Sequence, residues 1–449
     1  MIGGRWLFRE GAGKMGRRGS RTPGIFLPAL RVSVVKLTLP AVVLLGLLAC
    51  ATTAVGADRW NQFRGANGDG QSAAGGIPST WSETEHIAWK TAIWGKGWSS
   101  PVTWNDQVWM TTATPEGHRL AAICVDRRTG RIIHDVTVRE FEKPPYCHPF
   151  NSYASPTPWV EEGRVWVHFG SMGTACIDTT TGRVLWRRLD FRCNHFRGPG
   201  SSVVIHGNNL FLPFDGVDHQ FVVALDKRTG ATVWNSVRDV DYGTNNGDLK
   251  KAYCTAKVIT VKNRTQVIVP GAVATISYDP GTGREFWRVI HGGMNAAARP
   301  LFGNGLLFIN TGAVPTQLMA VRPDGKGNVT DTHVEWTTMN SVASRPSQLL
   351  IGNEIYMVSN SGVASCLDAR TGKTIWQKRI AGKHVASPVH VGGRIYTFSQ
   401  EGVTHVFASE KKYRELAINR LDSGFMASPA ISEGMMILRT RKHLYAITE

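Results

Sequence analysis

Ala224-Leu-Asp226-Lys-Arg-Thr-Gly230-Ala-Thr-Val-Trp234 is the stretch on which the fold turns, because the chain repeats it. Near copies are Cys176-Ile-Asp178-Thr-Thr-Thr-Gly182-Arg-Val-Leu-Trp186, Ser277-Tyr-Asp279-Pro-Gly-Thr-Gly283-Arg-Glu-Phe-Trp287 and Cys366-Leu-Asp368-Ala-Arg-Thr-Gly372-Lys-Thr-Ile-Trp376. A fifth, Cys124-Val-Asp126-Arg-Arg-Thr-Gly130, has His134 at the tryptophan position, and a degenerate sixth runs from Ala320 to Trp336 through a Gly-rich insertion. The physical content is a β-hairpin. A strand ends at Asp, whose short side chain can bond the turn amides, and Gly accepts the positive φ of the turn. The next strand ends in a Trp large enough to pack on a neighbouring sheet.

A second signature opens another strand in each repeat: Ser100-Pro101, Ser155-Pro156, Ser202-Val203, Thr255-Ala256, Arg299-Pro300, Arg345-Pro346, Ser387-Pro388 and Ser428-Pro429. Alternating apolar strands follow, as in Arg164-Val-Trp-Val-His-Phe169. These starts count eight repeats over residues 79–449, about 46 residues each, the period of a four-stranded propeller blade. The last repeat stops at His443-Leu-Tyr-Ala-Ile447 without a Trp strand, and the chain supplies one near its start, His86-Ile-Ala-Trp89-Lys90. The expected fold is therefore all-β, an eight-bladed β-propeller in which His86–Ile93 completes the last blade and leaves no open edge.

Composition agrees. With 42% hydrophobic and 19% charged residues the chain is globular, and 48 glycines with 15 tryptophans suit short strands and tight turns. No apolar run after residue 60 is long enough to span a bilayer. Eight basic residues and one acid precede an apolar run, Leu37 to Ala51, and then Val55-Gly56-Ala57, the order of a secretory signal. Leu47-Leu48-Ala49-Cys50 offers a second processing reading, a lipobox-like run that lipidates Cys50 and anchors the protein by lipid. Either reading exports the folded part to the periplasm or cell envelope. The expected division is a signal over 1–57, a loop over 58–78 lying outside the ring, and the propeller over 79–449. Removing residues 1–57 takes seven net charges from the formal +17 and leaves +10, spread without a Lys/Arg-rich arm. Nucleic acid is thus not an expected partner.

The Ala-x-Asp-x-x-Thr-Gly-x-x-x-Trp unit resembles the tryptophan-docking motif of pyrroloquinoline-quinone-type propeller repeats, found in quinoprotein alcohol dehydrogenases and in the BamB outer-membrane assembly factors. Asp126, Asp178, Trp186, Asp226, Gly230, Trp234, Asp279, Trp287, Asp368, Trp376 and Trp89 occupy its positions. Trp60-Asn-Gln-Phe-Arg64-Gly65, Trp98-Ser-Ser-Pro101 and Cys193-Asn-His195-Phe-Arg197 are similar to segments of exported quinoprotein-like propellers of planctomycete-type bacteria. The resemblance implies the fold and is nearly silent on chemistry. The quinoprotein dehydrogenases use an adjacent Cys-Cys disulfide, a calcium ion and a catalytic Asp, and no two cysteines are adjacent here. The expectation is a non-catalytic binding or scaffold protein of the envelope, holding a protein partner or a small ligand and no cofactor. Its alternative is a quinoprotein-type oxidoreductase with pyrroloquinoline quinone and calcium, or another small-molecule enzyme on the same face.

In a propeller, the blade-to-blade connections share a face with the second-to-third strand loops. The long insertions, Val136 to Tyr153, Arg187 to Gly200 and Ser236 to Tyr253, fall on that face beside blades two to four. The candidate binding residues there are His148, Asn151, Tyr153, Asn194, His195, Arg197, Asp215, Asp218, His219, Lys251 and Tyr253. Two readings stand: these groups meet a ligand or partner, or they satisfy one another and the loop backbones. The histidines and aspartates have metal-ligand chemistry, but no His-x-x-x-His spacing joins them, so no metal is expected. No nucleophile motif accompanies them, so no catalytic residue is named. Cys124, Cys176 and Cys366, two before the turn Asp, read as small core residues, and Cys254 as a loop residue near the axis. Cys147 and Cys193 sit at equivalent places in adjacent connections, where an oxidising compartment could bridge them.

Overall fold

The computed structural model describes residues 59–449; the signal segment and Cys50 lie outside the described residues. Eight separate sheets follow one another in chain order. Blade three shows the pattern: Val204–His206, Asn209–Asp215, Gln220–Asp226 and Thr232–Val237 pair antiparallel in sequence order. Blade eight contains Ala430–Ser432, Met435–Arg439 and His443–Ile447, and its outer strand is Ile87–Ala92, antiparallel to His443–Ile447 with Ile87 opposite Ile447. The ring closes with the two ends of the propeller in one sheet.

The repeat motif does what its residue types allow. Asp226 Oδ1 accepts from the amides of Arg228 and Thr229, both at 2.9 Å, and from the Thr229 hydroxyl. Asp126, Asp178, Asp279 and Asp368 hold their turns in the same way. Five of the Trp side chains dock on the turn of the following blade: Trp186 Nε1 donates to the Lys227 carbonyl at 3.1 Å and Trp234 Nε1 to that of Pro280 at 3.0 Å, and Trp89, Trp336 and Trp376 do the same to the carbonyls of Arg127, Ala369 and Glu410. Gly230 is required twice over, by its φ of +75° and because a Cβ there would meet Trp186 Cε3 at 2.7 Å. In blade one, His134 takes the docking place, its Nε2 3.2 Å from the Thr179 carbonyl oxygen.

The small residue two before each Asp has a packing reason. Across blade three, Phe211, Ala224 and Trp234 stand abreast on neighbouring strands, and the two rings lie 5.8 Å apart over the alanine. Trp109–Cys124–His134, Phe308–Ala320–Trp336 and Tyr356–Cys366–Trp376 repeat this large-small-large row. A larger central residue would push the flanking rings apart. Cys124, Cys176 and Cys366 are accordingly buried and free.

The insertion in blade five covers blade four. Gly327–Asn328 pairs parallel with Glu285–Ile290, the outer strand of blade four, so that Trp287 is fully buried and its Nε1 turns inward to Gln266. An outer edge that is open elsewhere is masked here.

The inner strands are linked around the axis by hydroxyls. The Ser100 amide donates to Thr157 Oγ1, the Thr157 amide to Ser202 Oγ and the Ser202 amide to Thr255 Oγ1. On the other side Arg299 donates to Ser347, Ser347 to Ser387 and Ser387 to Ser428. This places the ring position at Thr157 and Ser347, directly after Ser155-Pro156 and Arg345-Pro346. The spacing to Pro is therefore the wrong guide in blades two and six; the hydroxyl that can accept from the preceding blade is the right one.

Segment 58–78 does not lie outside the ring. Its residues from Trp60 onward cross the axis and plug it. The Trp60 carbonyl accepts from Thr103 of blade one and that of Asn61 from Val160 of blade two. Arg64, 1% exposed, donates to the carbonyls of Gln348 and Pro388 in blades six and seven. Gln71–Ser72 then pairs parallel with Val389–Val391, adding a strand to the inner side of blade seven. A ring of inner strands leaves unpaired backbone along its bore, and the plug consumes part of it.

Candidate functional site

On the face bearing the blade connections, the axis opens as a funnel, and Phe63 of the plug lies among its lining residues. Residues just before the inner strands line it: Trp98 and Ser100 from the start of blade one, and Asn295, Ala297, Ser344 and Arg345 from the far side. His148, Phe150 and Asn151 of the first insertion, Arg197 of the second and Tyr253 of the third complete the wall.

Of the eleven candidates, four reach the funnel: His148, Asn151, Arg197 and Tyr253. His148 Nδ1 accepts from the Phe150 amide at 3.1 Å, so a donor on this ring is Nε2. Asn151 ties two insertions together, donating to the carbonyls of Arg197 and Pro199 and accepting from Ser155 at 2.6 Å. The Tyr253 hydroxyl donates to the His195 carbonyl at 3.3 Å. Arg197 Nε is buried without a hydrogen-bond partner, as is Asn295 Oδ1.

The remaining seven hold the loops. Burial pushes His195 down to about 4, so it is neutral near pH 7; its Nε2 accepts from the Ser171 amide at 3.2 Å. Asp215 is closed in a buried pair with Arg238, Oδ1 to Nε 2.7 Å, and burial raises its carboxyl to about 6 against the pull of that guanidinium. Asp218 accepts from the amides of Asn194 and His219. Asn194 Oδ1 caps the Phe196 amide, and Tyr153 donates to the Pro145 carbonyl at 2.8 Å. Lys251 is buried against Asp248 and beneath the Phe196 ring. His219 stays exposed, 4.0 Å from Asp218. These long loops need such internal bonds because their backbones have no sheet to pair with.

Cys147 and Cys193 are unbridged and stand on separate neighbours: Cys147 Sγ is 3.6 Å from the Arg197 carbonyl, and Cys193 Sγ 3.7 Å from that of His219. Cys254 is fully buried, donating to the Ala298 carbonyl at 2.9 Å. No three His, Cys, Asp or Glu side chains converge as a metal set among the described residues.

Most of the lining was outside the candidate set, and Phe63, Trp98, Phe150, Asn295 and Arg345 are among the large or polar side chains of those residues. Phe150 lies inside the first long insertion and Phe63 in the plug, whereas Asn295 and Arg345 are identified only by position, preceding Arg299 and Ser347 by a few residues on connections with no striking length. Arg345 is the electrostatic centre. Its guanidinium lies 4.9 Å over the Phe150 ring; its side chain keeps solvent-exposed surface, and partial desolvation in the funnel, followed by the neighbouring Arg197 charge, pulls it below an ordinary guanidinium. No carboxylate appears in the funnel lining.

An eight-bladed propeller of tryptophan-docked repeats, with its axis plugged and one open funnel, is the class these features define. The chain belongs to the family described as outer membrane protein assembly factor BamB, whose model matches residues 74–237 and again 218–449. The BamB structure from Moraxella catarrhalis is similar at 13% identity and TM-score 0.56, over 80% of this chain and 99% of that one. The quinohemoprotein alcohol dehydrogenase ADHIIG from Pseudomonas putida HK5 matches at 10% identity and TM-score 0.60, over 87% and 80%. A europium-containing methanol dehydrogenase matches at 10% and 0.60, over 87% and 89%. At these identities the likeness is one of fold. No curated protein matches the sequence.

Proposed function

We propose that the protein is an exported, non-catalytic binding propeller of the cell envelope, whose ligand or partner seats in the funnel on the insertion-bearing face. The observation that carries this reading is the state of the polar groups. His195, Asp215 and Asp218 are committed to loop bonds, and the funnel lining holds no Asp or Glu, so His148 stands there without a carboxylate partner, beside the guanidiniums of Arg197 and Arg345 and the rings of Phe63, Trp98, Phe150 and Tyr253. Export rests on the charged, apolar, small order of residues 1–57. The alternative, a quinoprotein-type oxidoreductase, draws on the fold likeness to two dehydrogenases. Calcium takes oxygen ligands, commonly carboxylates, and the funnel's lining lacks an Asp or Glu, so its donor set does not fit a calcium-assisted quinone. Native mass spectrometry of the protein purified from its envelope is the test. The expected mass carries no quinone; a stoichiometric quinone accompanied by turnover of an alcohol overturns the proposal.

A further inference from the structure

The funnel has a charge without a partner. Among the described residues Arg345 makes no ion pair or hydrogen bond, and its guanidinium stacks on the Phe150 ring. Arg197, close enough for its charge to act on Arg345, has only a long contact to Asp248, 3.7 Å, and a buried Nε with no partner. Two like charges in one concave site repel, and they persist at a cost that an anion between them would remove. His148, whose Nδ1 accepts from the Phe150 amide, has Nε2 left free to donate along the same wall. Phe63 and Trp98 add apolar ring surface to the same lining.

Resting on the reading of the funnel as a binding site, we infer that its occupant is a small organic anion, its carboxylate or phosphate held between Arg345 and Arg197 and its apolar part against Phe63 and Trp98. Guanidinium is the side chain suited to oxyanions, presenting planar paired donors that match both groups. The apolar part of the lining distinguishes an organic acid from a free inorganic ion, since burying a ring there adds the contact that phosphate alone lacks.

The test is calorimetric titration of the mature chain with four probes: benzoate, phenyl phosphate, inorganic phosphate and neutral benzyl alcohol. Benzoate or phenyl phosphate should bind, whichever headgroup fits better, and more tightly than either inorganic phosphate or benzyl alcohol. Arg345→Gln should weaken that binding about tenfold or more, the worth of hydrogen bonds to a charged group. Arg345 is exposed to solvent within the funnel, so the variant should melt like the parent. Arg370→Gln, on an exposed turn of blade six away from the lining, should leave binding unchanged. Benzyl alcohol binding as well as the acids would overturn the choice of an anion and leave the funnel a binding site. Inorganic phosphate binding as well as phenyl phosphate would overturn the apolar subsite. Failure of every probe at millimolar concentration, or unchanged affinity in Arg345→Gln, would overturn the inference outright, while the native mass test of the wider proposal stands independently.

Discussion

Trp60→Ala tests whether the axial plug belongs to the folding unit. Trp60 is 1% exposed and sits in the core cluster formed with blades one, seven and eight. The plug turns tightly around it: Gly65 has a φ of +80°, and a Cβ there would stand 2.9 Å from Trp60 Cε3. A buried Trp removes about 150–250 Å² from water, worth about 4–6 kcal/mol at 25 cal/mol per Å². Truncation of buried aromatics costs about 3–5 kcal/mol in practice, since neighbours relax only partly. Against a total of about 5–15 kcal/mol, that is a large share. The assay is urea unfolding followed by far-UV circular dichroism, with the slope of free energy on urea as the check that the cooperative unit is unchanged. The expected result is a lower midpoint at the same slope. A loss under about 1 kcal/mol, or protease removal of residues 59–72 from a ring whose midpoint stays put, would refute the plug's structural role.

Trp234→Ala should cost about 3–5 kcal/mol and His134→Ala clearly less, because His134 fills the same docking place with a smaller ring; equal urea midpoints would count against docking. Deleting residues 59–93 removes the outer strand of blade eight as well as the plug, and should give aggregation or proteolysis beyond that of a 59–78 deletion; equal solubility of the two would contradict the closure. Stability should fall as pH drops from about 6.5 to about 4. Burial holds His168 at about 3 and His195, His291 and His384 at about 4, so the unfolded chain takes up protons in that window that the folded chain refuses. His168→Gln, which can keep the bond to Thr174, should flatten the fall in a urea-midpoint series against pH; an unchanged slope would show that His168 does not titrate as its burial requires.

The propeller was legible because its determinants are local and repeated. Asp, Thr-Gly and Trp lie within eleven residues, and each contact they make recurs in several blades. The missing Trp strand after Ile447 and the spare one at Trp89 gave closure by complementarity. The plug was not legible. Its anchors, Arg64 to Gln348 and Arg299 to the Phe63 carbonyl, join residues more than 200 apart in the chain, and nothing in Trp60–Gly65 announces where its partners lie. The candidate site was half legible for a similar reason. Insertion length marked Asn151, Arg197 and Tyr253, but length also marked loops whose polar groups serve only each other. Arg345, on a short connection, was hidden because its significance comes from what is absent around it.

The plug turns the propeller's bore from a passage into a cup. With Trp60 to Ser72 laid across the inner strands, whatever enters the funnel must leave by the mouth it came in through. For the proposed occupant the route is therefore single-ended, past the lining side chains Trp98, Phe150 and Arg197. A vessel of this kind suits capture and release better than transit.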